Sequence, residues 1–507
     1  MVEATDAAGA VTWREIVRLG PAELRDRVRA IPEDAWSRDP AALLAIAATY
    51  RSPGSTNPYA AEPYLDAADA LLATDRGVRD DALRVLAPVV RSVALRELGR
   101  FSAALEQLAR AEGLLAESSV PFTCRVELEA CISLEAGLCR MLAGRLVDAR
   151  RMLMRALHVA EDRTPPTVRM EACGAIALIE LRIGSLRSAD AHLAAARAAS
   201  ASAGPSHRLG NALVRLAEAA VAIERGEVRG LEDRLAELVA DTSGTEYEPL
   251  ALAQLAALHD GPDDGVTDIL QELHLIVREW EAPNLPRMLH DDSRIALLVR
   301  RREVVAARAE IARLVPDATH SQCPAAWSAR VALDTGEPAH AIGLTERCLD
   351  MGDAHAPRTA TIALLVAAAA HAALGDTSTA DDLFGQALTV AAPTGSVRPF
   401  GTLARHELAL MLDRTNGRDH AAAVQRLIAA IESRYPTHGA PSPENLSARE
   451  RVVLARLTAG DTHQRIAFDL SVSPNTIKTQ VRSIYRKLGV TTRDGAVQRA
   501  KHLGLID

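Results

Sequence analysis

The chain has 507 residues, of which 48% are apolar but only 3% aromatic, and a formal net charge of −8. That length exceeds one hydrophobic core; at about 150 residues per domain it implies three domains or a repeat array. The longest near-continuous apolar run, 362–374 (IALLVAAAAHAAL), would span only about 20 Å as a helix against a hydrocarbon core of about 30 Å, so no membrane span is expected.

Alanine, leucine and arginine dominate, and all three favour helix, whereas the strand formers Tyr, Phe, Thr and Ile are sparse. An all-α protein follows. The first residues, MVEATDAAGAVTWREIV, carry neither a basic n-region nor an apolar h-region, so a cytoplasmic protein without a secretory leader is expected. Lysine occurs only as Lys478, Lys487 and Lys501; every earlier cation of the Lys/Arg type is arginine. The general preference for arginine is what GC-rich coding produces. The position of the lysines is a separate question.

From the N-terminus, 1–75 reads as a helical segment that fits no repeat. Residues 76–433 then carry a recurring pattern, in which a glycine is followed by a small residue five positions later and another twelve later. Gly99 has Ala104 and Ala111; Gly144 has Ala149 and Ala156; Gly184 has Ala189 and Ala196. Gly336 has Ala341 and Cys348, Gly375 has Ala380 and Ala387, and Gly417 has Ala422 and Ala429. The glycine permits the turn that closes one helix. The small residues fall where a second helix meets its neighbours closely. Weaker copies surround Gly226, Gly265 and Arg302, the last keeping the alanines without the glycine. This pattern resembles the tetratricopeptide (TPR) repeat, with longer helices, and implies an α-solenoid stabilised by stacking.

The six cysteines form no C-x-x-C pair. Cys124, Cys131 and Cys139, seven and eight apart, share a helical face and admit a thiol-sensor reading, but no histidine nearby completes a zinc set. Core packing is the expectation, with no metal and no cofactor.

Residues 434–445 (RYPTHGAPSPEN) read as a linker, with three prolines and a glycine. Beyond it the charge changes sign. Residues 444–507 hold eleven Lys+Arg and six Asp+Glu, a net of +5, which leaves −13 for 1–443. Only the tail therefore seeks a polyanion.

Within 446–507 four short helices are predicted. Ser447 and Glu450 form a capping box ahead of a helix ending at Gly460. THQRIAFDL follows, with Ile466, Ala467 and Leu470 facing inward. Ser473 then caps a helix starting at Pro474. That helix, PNTIKTQVRSIYRKLG, places Ile477, Val481, Ile484, Tyr485 and Leu488 on one face and Thr476, Lys478, Thr479, Arg482 and Arg486 on the other. Such a helix suits a major groove. RDGAVQRAKHLGLI forms the last.

The whole stretch resembles the LuxR-type helix-turn-helix domain. The matching elements are Leu446, Arg449–Glu450, Gly460, Ile466–Ala467, Leu470, Ser473–Pro474, Thr476, Lys478, Lys487 to Val490, Arg493 and Ala496–Val497. The resemblance implies base contacts from Lys478, Thr479 and Arg482. It implies phosphate-contacting or domain-bracing roles for Ser473, Thr476, Lys487 and Arg493, and a dimer helix carrying Ala496, Val497, Ala500 and Leu503. Arg465, Gln480 and Phe468 depart from the family pattern. The first two bear on orientation and site preference; Phe468 should point outward.

Large LuxR regulators often carry a nucleotide-binding module, and response regulators a receiver. The P-loop G-x-x-x-x-G-K-[ST] needs a lysine, as does a receiver, and none precedes Lys478. No Ser/His/Asp set, Cys/His set, HExxH or G-x-S-x-G motif occurs either. The chain thus resembles a large LuxR regulator without its ATPase module, and no enzymatic activity is expected. The implied partners are double-stranded promoter DNA, RNA polymerase, and a second copy of the chain on DNA. A small effector or a protein partner would bind the solenoid. The competing expectation is an interaction scaffold for which the DNA domain is a tether.

Overall fold

A computed structural model describes residues 11–50, 59–74, 78–159, 164–203, 210–259, 264–316, 319–415, 420–436 and, in the C-terminal part, 446–502 apart from 447, 471, 489 and 491. Among the described residues there are 27 α-helices and no strand. The expected all-α class is observed. The chain divides into two compact units, Met1–Gln322 and Cys323–Asp507.

Unit 1 opens with five helices, Trp13–Arg18, Pro21–Arg29, Glu33–Trp36, Pro40–Thr49 and Glu62–Thr74. Thr12 and Glu15 form a reciprocal capping box at the first of them. This segment does not follow the repeat spacing, and its packing accounts for that. Leu24, Leu43, Leu44 and Leu65 join Leu83, Leu86 and Val89 of the first repeat helix, Val78–Glu97, in one core. It covers the open end of the array, as a terminal unit of stacked repeats must.

The repeats follow as antiparallel pairs. Val78–Glu97 precedes Phe101–Glu117, Phe122–Leu142 precedes Leu146–His158, and Pro166–Ile183 precedes Leu186–Ala203. Unit 2 repeats the arrangement with Pro324–Asp334 and Pro338–Asp350, then Pro357–Ala373 and Thr377–Ala391. In all five pairs the second helix starts two residues after the glycine of the motif. Gly99, Gly144, Gly336 and Gly375 take φ between 68° and 84°, and the following residue bonds back to close the turn, as in Arg145 N–H to the Arg140 carbonyl at 2.9 Å. The small residues are buried as their spacing requires: Ala104, Ala111, Ala149, Ala156, Ala189, Ala196, Ala341, Cys348, Ala380 and Ala387 all lie in the core.

Three copies depart from the pattern. Gly226 keeps the left-handed turn, but Leu231 and Leu238 fill the positions of the alanines. At the copy without glycine, Arg302 itself adopts φ 59°, and Glu303 N–H bonds the Leu298 carbonyl. The turn survives with a strained residue. In the last copy Gly417 lies outside the described residues, and Ala422 and Ala429 are exposed. There the helix Ala422–Arg434 buries Leu427 and Ile431 instead, so the small-residue spacing does not mark its packed face.

Unit 1 is also not an open row of pairs. The segment from Trp280 through the helix Leu285–Arg300 folds back over three earlier repeats. Trp280 packs edge-on against Phe101, with ring centroids 5.8 Å apart. Glu281 accepts from both the N–H and the hydroxyl of Ser102, and Asp292 pairs with Arg182 at 2.6 Å. A Cβ at Gly99 would meet Trp280 Cγ at 2.3 Å, whereas one at Gly375 would meet only open space. Gly375→Ala therefore carries only left-handed strain, about 1–2 kcal/mol. Gly99→Ala adds overpacking of about 1–3 kcal/mol. Urea denaturation midpoints should fall further for Gly99→Ala; equal falls would refute the close approach.

Each unit buries an arginine between carboxylates. Arg96 in unit 1 donates to Glu246 at 2.6 Å and Glu135 at 2.9 Å. Arg330 in unit 2 pairs with Asp334 and with Glu407 at 2.7 Å. All but the last residue of the apolar run 362–374 lie in the helix Pro357–Ala373, which buries every residue from Thr361 to Ala370. It is a core helix, and no helix among the described residues is long and apolar enough to cross a membrane.

Candidate nucleic-acid interface and ligand cavity

The C-terminal part consists of the helices Ala448–Thr458, His463–Asp469, Pro474–Leu488 and Arg493–His502. Leu446, Val453, Leu454, Leu457, Ile466, Ala467, Ile477, Val481, Ile484, Leu488, Val490, Ala496 and Ala500 form their common core. Each boundary has a local cause. Gly460, at φ 93°, ends the first helix, and Asp461 N–H bonds the Arg456 carbonyl. Thr462 caps the second through the Arg465 N–H. Val472 N–H then bonds the Ala467 carbonyl at 3.0 Å, which holds the tight turn.

Ser473 caps the third helix. Its hydroxyl accepts from Thr476 N–H at 3.1 Å and lies 2.8 Å from the Thr476 hydroxyl. Of the third helix, Ile477, Val481, Ile484 and Leu488 are buried and Tyr485 half-buried, while Thr476, Lys478, Thr479 and Arg482 are exposed. The buried stripe thus fixes the opposite stripe outward. Among the described residues, neither Lys478 nor Arg482 has an ion-pair partner. The side chains of Arg486 and Lys487 lie outside the description, as does Ser447 of the expected capping box. Glu450 is buried and accepts from the Ser483 hydroxyl at 2.8 Å, tying the first helix to the third.

A helix-turn-helix with one polar, cationic face is thereby in place, and the sequence comparisons agree with it. Residues 444–500 match the family described as bacterial regulatory proteins, luxR family. This part of the chain is a LuxR-family helix-turn-helix domain. Among curated proteins, the chain is similar to the probable transcriptional regulatory protein NarL of Mycobacterium tuberculosis, in strains CDC 1551 / Oshkosh and ATCC 25618 / H37Rv. Identity is 40% over 97 residues, which is 19% of this chain and 44% of each relative. The chain thus spans under half the length of the curated relatives it matches.

Within the LuxR-family domain, the geometry separates residues that the sequence grouped together. Arg493 directs Nε and Nη2 to the Leu457 carbonyl, at 3.1 and 2.6 Å. Its guanidinium closes the C-terminal end of the first helix, which is the work of a brace. Ala496 and Ala500, assigned to a dimer helix, are fully buried in the domain core. They do not form a surface that a second copy can reach, because the same helix must first cover the first and third helices. Val497 is half-buried, and Leu503 lies outside the described residues. Phe468 points outward as expected, 79% exposed. Arg465 is exposed and pairs with Asp469 one turn on, at 3.5 Å.

Unit 1 holds a feature that no motif marked, a cavity of about 160 Å³. Apolar side chains such as Ile16, Leu24, Leu86, Val90 and Leu134 line most of it. Glu97, Glu135, Glu171, Thr167 and Tyr50 add polar groups, and no lysine or arginine is among the lining residues. It forms where the N-terminal helices meet the first repeats, so it depends on tertiary packing alone.

The cysteine row divides in the fold. Cys131 and Cys139 are buried, and Cys124 is half-buried beside Arg14. Burial pushes the Cys139 thiol up to about 12 and Cys131 higher still. Reactive thiols need the opposite shift, so these two are core residues. Elsewhere, the buried side chains of Cys323, Cys348 and His355 converge. The sequence reading expected no metal and passed over this group. Its only local signal was Cys348 standing where the repeat has alanine.

Proposed function

We propose that this protein is a non-enzymatic, DNA-binding transcription regulator of the cytoplasm and nucleoid, in which unit 1 responds to a small effector. The carrying observation is the outward stripe of Lys478, Thr479 and Arg482 on a helix whose opposite face buries Ile477, Val481, Ile484 and Leu488. Set in a major groove, these three side chains reach base edges. Ser473, Thr476 and Lys487 contact phosphates, Arg493 holds the domain together, and two copies bind a roughly palindromic site with Val497 at their contact. The chain is organised as a helical cap (1–75), TPR-like repeats (76–433), a linker (434–445) and the DNA domain (446–507). Genomic fragments selected by the full chain should share one motif. The Lys478→Ala/Arg482→Ala chain should not enrich it; equal enrichment would refute the assignment.

The cavity favours a small molecule over a protein partner as the input. Its volume compares with an engineered cavity of about 150 Å³ that holds benzene. Its mostly apolar lining favours a small apolar molecule as the effector class. Such compounds should raise the melting temperature of the full chain, and Leu86→Trp, which fills the cavity, should abolish the rise. No shift with a panel of small apolar compounds would exclude this class.

A further inference from the structure

In unit 2 two cysteines and a histidine from successive elements meet in the core. Cys323 caps the helix Pro324–Asp334, and its sulfur accepts from Ala326 N–H at 3.4 Å. Cys348 comes from the last turn of Pro338–Asp350, and His355 follows the short turn Gly352–Ala354. All three residues are buried, at 1–3% exposure. The two sulfurs lie 3.5 Å apart, and the ligand atoms of the group all fall within 4.8 Å of one another. A disulfide would need about 2.05 Å between the sulfurs. Two thiolates on one tetrahedral zinc, at about 2.3 Å each, stand about 3.8 Å apart.

We propose that Cys323, Cys348 and His355 bind a structural zinc ion. His355 is oriented for this: its Nδ1 faces the Ala356 carbonyl at 3.2 Å and the Thr359 hydroxyl at 3.3 Å. That outer contact leaves Nε2 as the coordinating atom, the usual arrangement around a metal-bound histidine. In the sequence, His320 stands three residues before Cys323, an H-x-x-C spacing that offers a fourth ligand; water is the alternative. A dication neutralises two buried thiolates, which apolar surroundings alone would not hold.

The site also has a structural reason. Cys348 occupies the small-residue position at which other copies bury Ala111, Ala156, Ala196 and Ala387. The metal would tie the second helix of this pair to the start of its first helix and to the turn entering Pro357–Ala373. The role is closure of the pair, not catalysis.

Purified full-length protein should contain about one zinc per chain, and cobalt(II) substitution should give the visible bands of a tetrahedral cobalt thiolate. Cys348→Ala restores the alanine of the repeat and should fold, yet its zinc content should fall by about tenfold or more. A chelator should lower the melting temperature of the parent chain and leave that of Cys348→Ala unchanged. Cys173→Ala, at a buried cysteine outside the group, should keep full zinc. A parent chain that is metal-free with both thiols titratable, or one with a Cys323–Cys348 disulfide by mass spectrometry, would overturn the proposal. Zinc retained in full by Cys348→Ala would do so as well.

Discussion

Arg330→Ala should destabilise unit 2 by about 3–5 kcal/mol, because it strands carboxylates that the fold has taken from water. The Arg330 side chain is 3% exposed and Glu407 15%, and two of their bonds measure 2.7 and 3.1 Å. The Ala404 N–H donates to Glu407 as well, at 2.7 Å. Replacing Arg330 and Glu407 with apolar residues of similar volume, as in Arg330→Met/Glu407→Leu, removes the more buried of the stranded charges and leaves only Asp334, whose side chain is 23% exposed. That double variant should recover most of the loss.

The same pair sets an acid limit. Burial by itself would raise the Glu407 carboxyl, but the Arg330 charge outweighs it and holds the group at about 2, against an ordinary 4.5. A lowered carboxyl contributes stability that is present above 4.5 and lost as pH falls through 2. The span corresponds to about 3 kcal/mol. Denaturant midpoints of the parent chain should therefore drop across that window, and those of Glu407→Gln should drop less. Parallel profiles would show that the pair is not formed in solution.

How far such features could be read beforehand depends on whether they are local. The glycine, Ala104 and Ala111 of one copy lie within a single helix pair, so spacing alone exposed the turn and the packed face. The LuxR-family domain was legible for the same reason, since its caps and its two stripes lie within about 60 residues. What escaped was made by distant packing. Trp280 lies far along the chain from Gly99, and Glu407 lies 77 residues from Arg330. Cys323 and Cys348 come from successive helices. Hydrophobic periodicity marks burial of apolar residues and gives no sign of buried ions or metal ligands. Ala496 and Ala500 show a subtler limit: a small apolar helix face suits a dimer contact and an internal core equally, and here the first and third helices occupy it.

The DNA contacts offer the sharpest separation of roles. Lys478→Ala and Arg482→Ala should each lose about 1–3 kcal/mol on the preferred site, or about 5- to 150-fold, and relax the preference at one base position. Lys487→Ala should weaken all sequences alike and reduce the salt slope by about one unit. Arg493→Ala should behave differently again. Its two bonds to the Leu457 carbonyl are charge-assisted, so their loss should cost about 1.5–3 kcal/mol of domain stability. Less folded domain means weaker binding to every sequence, but the folded fraction keeps its phosphate contacts and its salt slope. Binding to a site library at several salt concentrations, with thermal unfolding of each variant, distinguishes the three outcomes. A reduced salt slope in Arg493→Ala at unchanged stability would return that residue to the phosphate-contacting set.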